Sequence, residues 1–319
     1  MNETRIKIVV PYFGKLPDFT ELWSLSLEKN SDIDFLLITD DCTSSFYKAP
    51  NLTVTHMEFK EFVGLIKRKV NLKREITPYK LCDFKIAYGD ILGDYLSGAD
   101  YWGFCDIDLI FGNIRKNLQK ALSSGFDKIL DLGHLSLMKN NQEMNVLYKR
   151  PLLGECIFDN VTRSEIVKVF DEMMFFGRGG FNGIVIEQGY SLYVNRKVYA
   201  DISPGCTSFS DYNNKDRKVL YFEHSRDGLF CHYLDSNGVK RIKEMLYVHF
   251  QKRKVKFISG ELSDNFFLSE KGAQPESPDV NGFSNDFEVS PEFTLAKKRN
   301  VMKKRVVQAK ELFTLGFRK

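Results

Sequence analysis

Two β-branched runs, RIKIVVPYFG (residues 5–14) and DIDFLLITDD (residues 32–41), flank a stretch from Phe19 to Lys29 whose apolar residues recur at helical spacing. A strand, a helix and a second strand in that order make a βαβ opening, and this restricts the chain to folds built on a largely parallel sheet. The pattern continues: LTVTHM predicts a third strand and EFVGLIKRKVNLK an amphipathic helix. In TPYKLCDFKIAYGDIL, Thr77 stands at the N-cap and Pro78 at the first helical position, so a helix is expected from there to about Asp94. A strand at YWGFC, a helix from Ile114 to Ser123 and a strand at FDKILDL follow. The expected class is α/β, a nucleotide-binding, Rossmann-like sheet with helices on its faces.

Beyond Gly133 the pattern is less regular. SEIVKVFDEMMFF predicts a helix, GRGGFNG a glycine-rich loop, and Asn237-Gly238 the turn of a hairpin. Residues 263–290 have the Gly, Pro, Ser and Asp content of a linker, which divides the chain into a domain of residues 1–262, the linker, and a tail of residues 291–319. In the tail, Met302, Val306, Ala309, Phe313 and Phe317 fall at helical spacing, so a basic amphipathic helix is expected. Nine Lys or Arg against two Glu give the tail +7 of a total net charge of +4, which leaves the rest at −3. Stacking aromatics are not interleaved with the basic residues, apart from Phe313 and Phe317, and the remainder is acidic; nucleic acid is therefore not the expected partner, and an anionic membrane surface fits better. A solvated helix packed on the core is the plainer alternative. No run reaches the ~18 to 20 apolar residues of a membrane span, MNETRIKIVV lacks a leader pattern, and six scattered cysteines form no CxxC pair. These features lead us to expect a cytoplasmic protein, peripheral at the inner face of the plasma membrane.

The chemistry is concentrated in YWGFCDIDLIFGNIR. Asp106 and Asp108 lie in an almost wholly apolar run, where an unpaired carboxylate is costly and two of them call for a cation. On a strand both would face one side, with Ile107 opposite, at the carboxyl end of a strand where α/β sheets bind ligands. Hard oxygen ligands select Mg²⁺ or Mn²⁺.

PYFG (11–14), PYKLCDFKIAYGDIL (78–92), YWGFCDIDLIFGNI (101–114), GHLSLMKN (133–140) and HFQKRK (249–254) together resemble bacterial GT-A-type glycosyltransferases of capsule and O-antigen synthesis. The resemblance spans roughly residues 5–258 and implies a GT-A-like fold that transfers a hexosyl unit from a UDP-sugar to a lipid-linked saccharide acceptor. It implies that Asp108 binds Mn²⁺ or Mg²⁺, that Asp106 contacts the metal or the ribose, and that His249 is a further ligand. Lys252 and Arg253 would then meet the phosphates, while Asp83 and Lys85 touch donor sugar and phosphate. The family spaces that last pair by three where this chain has two, so Lys80 stands as a substitute for Lys85. Pro11, Tyr12 and Phe13 would surround the uracil, and Asp40 would bond base or ribose. For an inverting reaction Asp171, ahead of Glu172, is the candidate general base.

Two other readings share the acidic pair. A haloacid-dehalogenase-like phosphatase also carries DxD at a strand end, but wants Thr or Ser two residues after the second Asp, where this chain has Ile110. A noncatalytic sugar-nucleotide or glycan-binding partner would show the same motif and turn nothing over. A nucleotidyltransferase would need a glycine-rich basic loop after the first strand, and PYFGKLPDF is not one.

Overall fold

The computed structural model describes residues 3–172, 179–206, 208–251, 253, 255–258, 262–281, 283, 294, 295, 297–302 and 305. Its strands are β1 (Ile6–Pro11), β2 (Ile33–Thr39), β3 (Leu52–His56), β4 (Tyr101–Cys105), β5 (Leu109–Phe111), β6 (Lys128–Leu132), β7 (Leu135–Lys139), β8 (Leu192–Tyr193), β9 (Ala200–Asp201), β10 (Lys218–Ser225), β11 (Gly228–Leu234), β12 (Lys240–Met245), β13 (Tyr247–His249), β14 (Phe266–Ser269) and β15 (Gly272–Gln274). The main helices of the first half are α1 (Thr20–Leu27), α2 (Phe59–Lys69), α3 (Tyr88–Ile91) and α4 (Ile114–Ser123).

Strand periodicity builds two cores on the faces of one large sheet. Ile8 and Val10 of β1, Phe35 and Leu37 of β2 and Tyr101 of β4 enter the layer of α1 and α4, where they meet Trp23, Leu27, Ile114 and Leu118. The alternate residues Val9, Leu36, Ile38, Trp102 and Phe104 enter the opposite layer with Phe62 and Ile66 of α2 and Tyr88 and Ile91 of α3. A strand covered on both faces must be apolar almost throughout, which is why β2 and β4 read as continuous runs. The sheet order is β3-β2-β1-β4-β7-β6-β8. Its pairs β1–β2, β2–β3, β1–β4 and β6–β8 are parallel, and β7 runs antiparallel to both β4 and β6. The fold is a mixed α/β architecture with a large, mostly parallel sheet and flanking helices.

Helix ends follow local chemistry. At α2 a capping box joins Glu58 and Glu61, and at α4 the Asn113 side chain accepts from the Lys116 N–H at 2.8 Å. Nearly all of α1 is buried because it serves two layers: Trp23 and Leu27 face the large sheet, while Leu22 and Leu25 join a third core. That core lies under a five-stranded antiparallel sheet, β12-β11-β10-β14-β15, and takes in Ile110 of β5 and Val248 of β13. A three-stranded sheet, β5-β13-β9, connects the two larger ones and carries the candidate site. Among the described residues no helix is long and apolar enough to cross a membrane.

Four sequence expectations change. Asp106 to Asp108 do not continue the strand: β4 stops at Cys105, the Asp106 N–H donates to the His134 carbonyl, and the chain bends before β5. The helix expected after Thr77 is a 3-10 helix, Pro78–Ala87, followed by the single turn of α3, and no side-chain bond from Thr77 caps it. Residues 164–172 are not helical: the N–H groups of Lys168 and Phe170 are drawn to Asp83 instead of to carbonyls four residues back. Within the expected linker, residues 266–274 form the β14–β15 hairpin, with Phe266, Leu268 and Ala273 buried. The expected turn at Asn237-Gly238 does join β11 to β12, with Gly238 at φ +75°. In the tail, residues 297–302 are helical with Met302 exposed, whereas Val306, Ala309, Phe313 and Phe317 lie outside the described residues.

Candidate active site

The bend after β4 directs two carboxylates toward one histidine. Asp108 is buried, Asp106 is half-buried, and β13 pairs with β5 so that His249 stands opposite Leu109, next to the bend. The carbonyl of Asp108 accepts the Phe250 N–H at 3.2 Å, which closes the bend onto the strand that carries the histidine. Nε2 of His249 lies 3.5 Å from Oδ1 of Asp108. One ligand atom from each of Asp106, Asp108 and His249 lies within 4.8 Å of the others. Two hard oxygens and one imidazole suit Mn²⁺ or Mg²⁺, so the donor set fits such an ion.

A buried cation stands beside this group. Lys85 Nζ donates to Oδ1 of Asp106 and to the Gly133 carbonyl, both at 2.7 Å, and lies 3.9 Å from Oδ2 of Asp171. Burial opposes the ammonium most strongly, but Asp106, Cys82 and Asp171 together outweigh it and hold the lysine well above its usual range. Asp171 is buried with Oδ1 unpartnered among the described residues. Burial pushes its carboxyl up to about 8 against the pull of Lys85, and the Glu172 charge adds to the rise. Glu172 is raised by burial as well, opposed by the Gly133 N–H that it accepts at 2.6 Å. Gly133 is a close approach: a Cβ there would sit 2.2 Å from Oδ2 of Asp171. A buried carboxyl raised to about 8 thus lies beside a fixed cation and the group of Asp106, Asp108 and His249.

The remaining sequence candidates have other surroundings. Lys80 and Asp83 form a buried ion pair at 2.7 Å. Lys80 also donates to the Ile166 carbonyl, and Asp83 accepts the N–H groups of Lys168 and Phe170. This pair therefore anchors the segment that delivers Asp171 and Glu172, and it is Lys85 that bonds to Asp106. An open cavity of about 380 Å³, lined by Arg74, Glu75, Ile76, Thr77, Lys80 and Glu165, shares only Lys80 with the candidates. At the end of β1, the Tyr12 N–H donates to the Ile38 carbonyl, and the Phe13 ring packs between Phe59 and Phe62 as part of the core. Asp40 accepts the Gly14 N–H at 2.7 Å, which ties the loops after β1 and β2 together. Arg253 directs its guanidinium to the carbonyls of Ser203, Cys206 and Ser208, over the Phe209 ring. Lys252 lies outside the described residues.

Two residues in the site were not singled out from the sequence. His134, in the turn between β6 and β7, stacks on His249 with centroids 4.4 Å apart. Asp201, in β9, lies beside His249 in the sheet and bonds its Nδ1 at 2.9 Å. The only sequence signal for His134 was its place in GHLSLMKN; Asp201 gave none, because a two-residue strand has no periodicity to read.

The model of a family of unknown function, DUF6625, matches residues 8–277, which span both larger sheets and every residue of the site. The chain belongs to this family. No curated protein matches it in sequence. Among solved structures, mouse xyloside xylosyltransferase 1 in its apo form is similar at 7% identity, with 63% of this chain and 88% of that chain covered and a TM-score of 0.39. The galactosyltransferase LgtC, in complex with donor and acceptor sugar analogs, is similar at 10% identity over 76% of this chain and 86% of that chain, with a TM-score of 0.36. An active-site mutant of LgtC gives the same identity and coverage with a TM-score of 0.38. All three scores lie below the range from which a common fold follows.

Proposed function

We propose that this DUF6625 member is a metal-dependent glycosyltransferase of GT-A type that moves a hexosyl unit from a UDP-sugar to a growing surface glycan of the capsule or O-antigen kind. The observation that carries the proposal is the convergence of Asp106, Asp108 and His249 at the carboxyl end of β4 in a mostly parallel sheet. Its sequence resemblance over residues 5–258 supplies the reaction class. Asp106, Asp108 and His249 would hold Mn²⁺ or Mg²⁺, which when bound neutralises charge on a departing diphosphate. Lys85 keeps a fixed positive charge at Asp106, so the site retains a cation on its inner wall. Asp171, with its uncommitted oxygen and a proton held near neutral pH, is suited to exchange a proton with an acceptor hydroxyl, and Glu172 holds the Gly133 turn beside it. Asp40 and the backbone of residues 11–13 are assigned to the base and ribose, and Lys252 with Arg253 to the phosphates; Arg253 would have to leave its loop carbonyls to do so.

The acceptor in this reading is a lipid-linked saccharide at the cytoplasmic face of the membrane. The +7 tail from Pro291 onward supports it, since each basic residue near an anionic surface contributes roughly 1 kcal/mol of attachment. Residues 1–262 would carry the catalysis and 291–319 the attachment.

The test is UDP release from a panel of UDP-sugars with and without Mn²⁺, with the wild type and Asp108→Asn side by side. Turnover should require the divalent ion and fall more than about 100-fold in Asp108→Asn, with the thermal midpoint within a few degrees of wild type. Tight UDP binding with no turnover on any donor would instead favour a sugar-nucleotide-binding partner. An unchanged Asp108→Asn enzyme would overturn the metal assignment.

A further inference from the structure

The placement of His249 depends on groups that belong to neither the acidic pair nor the acid–base cluster. Parallel pairing of β13 with β9 sets His249 opposite Asp201. Oδ1 of Asp201 accepts two hydrogen bonds, from Nδ1 of His249 at 2.9 Å and from Nε2 of Gln251 at 2.6 Å. Gln251 has φ +50°, the left-handed region that costs a non-glycine residue energy, in the same turn that brings its amide back over β9. Asp201 is itself held through its backbone: its N–H donates to Oδ1 of Asp211, and its carbonyl accepts the Tyr212 N–H at 2.8 Å.

The ring face of His249 is fixed separately. His134 stacks on it at 23°, and Nδ1 of His134 bonds the Tyr247 hydroxyl at 2.7 Å. Tyr247 in turn stacks on Tyr199, with centroids 4.7 Å apart. His134, Asp201 and His249 also bring ligand atoms within 4.8 Å of one another, but two near-parallel stacked imidazoles point their in-plane lone pairs side by side and not at a single ion. The arrangement is that of a clamp on His249. A carboxylate accepts and cannot donate when ionised, so Nδ1 of His249 carries the hydrogen in this bond and Nε2 is left to face Asp108.

We propose that Asp201 is a positioning residue for the cation site: it fixes the His249 tautomer and ring orientation so that the Nε2 lone pair completes the set begun by Asp106 and Asp108. The inference rests on the metal-site reading above and adds a carboxylate–imidazole–cation chain that runs from β9 through β13 to the bend after β4. Losing such an outer carboxylate typically weakens metal binding 10- to 100-fold.

The experiment measures Mn²⁺ binding to the full chain by titration calorimetry and by electron paramagnetic resonance of free Mn²⁺, with no sugar nucleotide present. Wild type, Asp108→Asn, Asp201→Asn and Asp201→Glu are compared. Asp201→Asn should bind Mn²⁺ 10- to 100-fold more weakly, and Asp201→Glu, which restores a carboxylate, should recover part of the loss. Should Asp201→Asn fold poorly, nitrogen-15 NMR of the wild-type histidines in Mg²⁺ gives a second readout: His249 should carry its hydrogen on Nδ1. Wild-type affinity in Asp201→Asn, or a wild-type His249 with its hydrogen on Nε2, overturns the inference while leaving the metal site intact. A wild-type chain that takes up no Mn²⁺, or one that Asp108→Asn does not weaken, overturns the site reading and this inference together.

Discussion

Around the carboxyl end of β4, charged groups lie inside the protein: Lys80, Asp83, Lys85, Asp108, Lys128, Asp131 and Asp171 are all buried. In the five-stranded sheet the arrangement is the usual one for an antiparallel sheet with one wet face. From Leu220 to Ser225 of β10 buried and half-buried residues alternate, Lys240 and Arg241 are exposed, and the buried polar side chains on its described strands are His224 and Ser269. Burying an ion pair gains little or nothing over a well-packed apolar pair, whereas leaving one partner alone is strongly unfavourable. The five-stranded sheet therefore shows what folding alone requires of this chain. The interior charges of the other region exceed that requirement, and their concentration on one rim is what makes it the candidate site.

The contrast is sharpest at Lys80 and Asp83. Replacing Lys80 by Met leaves the fully buried Asp83 carboxylate with only the N–H groups of the 164–172 segment, and we expect a loss of about 3–5 kcal/mol in urea unfolding. Arg241→Met, which removes an exposed partner of Asp235, should cost under about 1 kcal/mol. Similar costs for the two would show that the buried pair is no anchor, and the distinction between the regions would fail.

Glycines test the same contrast by geometry. At Gly133 an added methyl would meet Oδ2 of Asp171 at 2.2 Å and Oε1 of Glu172 at 3.0 Å, so Gly133→Ala should cost about 1–3 kcal/mol and displace these two carboxyl groups. At Gly238 there is nothing within 4 Å, but φ is +75°, and Gly238→Ala should cost about 1–2 kcal/mol from backbone strain alone. Stability assays should place the two close together, while UDP release should fall for Gly133→Ala only. Equal loss of turnover would mean that the hairpin between β11 and β12 takes part in the reaction.

What could be read from the sequence divides along similar lines. β1 to β4, α2, α4 and the hairpin at Asn237-Gly238 were legible because local period and turn chemistry decide them. Asp106, Asp108 and His249 were singled out by motif and resemblance, and their convergence at one point rests on the pairing of β5 with β13. The non-helical course of residues 164–172 could not be read, since it is imposed by Asp83, which is more than eighty residues away in the chain. Residues 266–274 were hidden for a related reason: a short hairpin next to Gly, Pro and Ser looks like linker until β10 supplies its hydrogen bonds. His134 and Asp201 acquire meaning only from the ring and the carboxylate packed against His249.

The smallest expected effect separates the two regions by the sign of their response to pH. His224, buried in β10 with Nδ1 bonded to the Asp264 carbonyl at 2.7 Å, is pushed down to about 4 by burial. Its folded value lies below the unfolded one of about 6.5, so the unfolded chain takes up the proton first. The contribution is complete above pH 6.5 and is lost as pH falls toward 4. Asp171 behaves in the opposite way: burial raises it to about 8, far above an unfolded carboxyl, so stability is complete below about pH 4 and is lost as pH rises through 8. Between pH 7 and 6 the histidine accounts for under about 1 kcal/mol, which is measurable as a difference between wild type and His224→Asn in urea, with chelator present to keep the acidic site free of metal. Removing His224 should abolish the rise in stability between about pH 4 and 6.5 and leave the curve above pH 6.5 unchanged, whereas Asp171→Asn should abolish the decline that runs from about pH 4 to 8. If His224→Asn also changed the slope above pH 6.5, the two groups would titrate as one network, and the five-stranded sheet could no longer serve as the structural background against which the rim of β4 stands out.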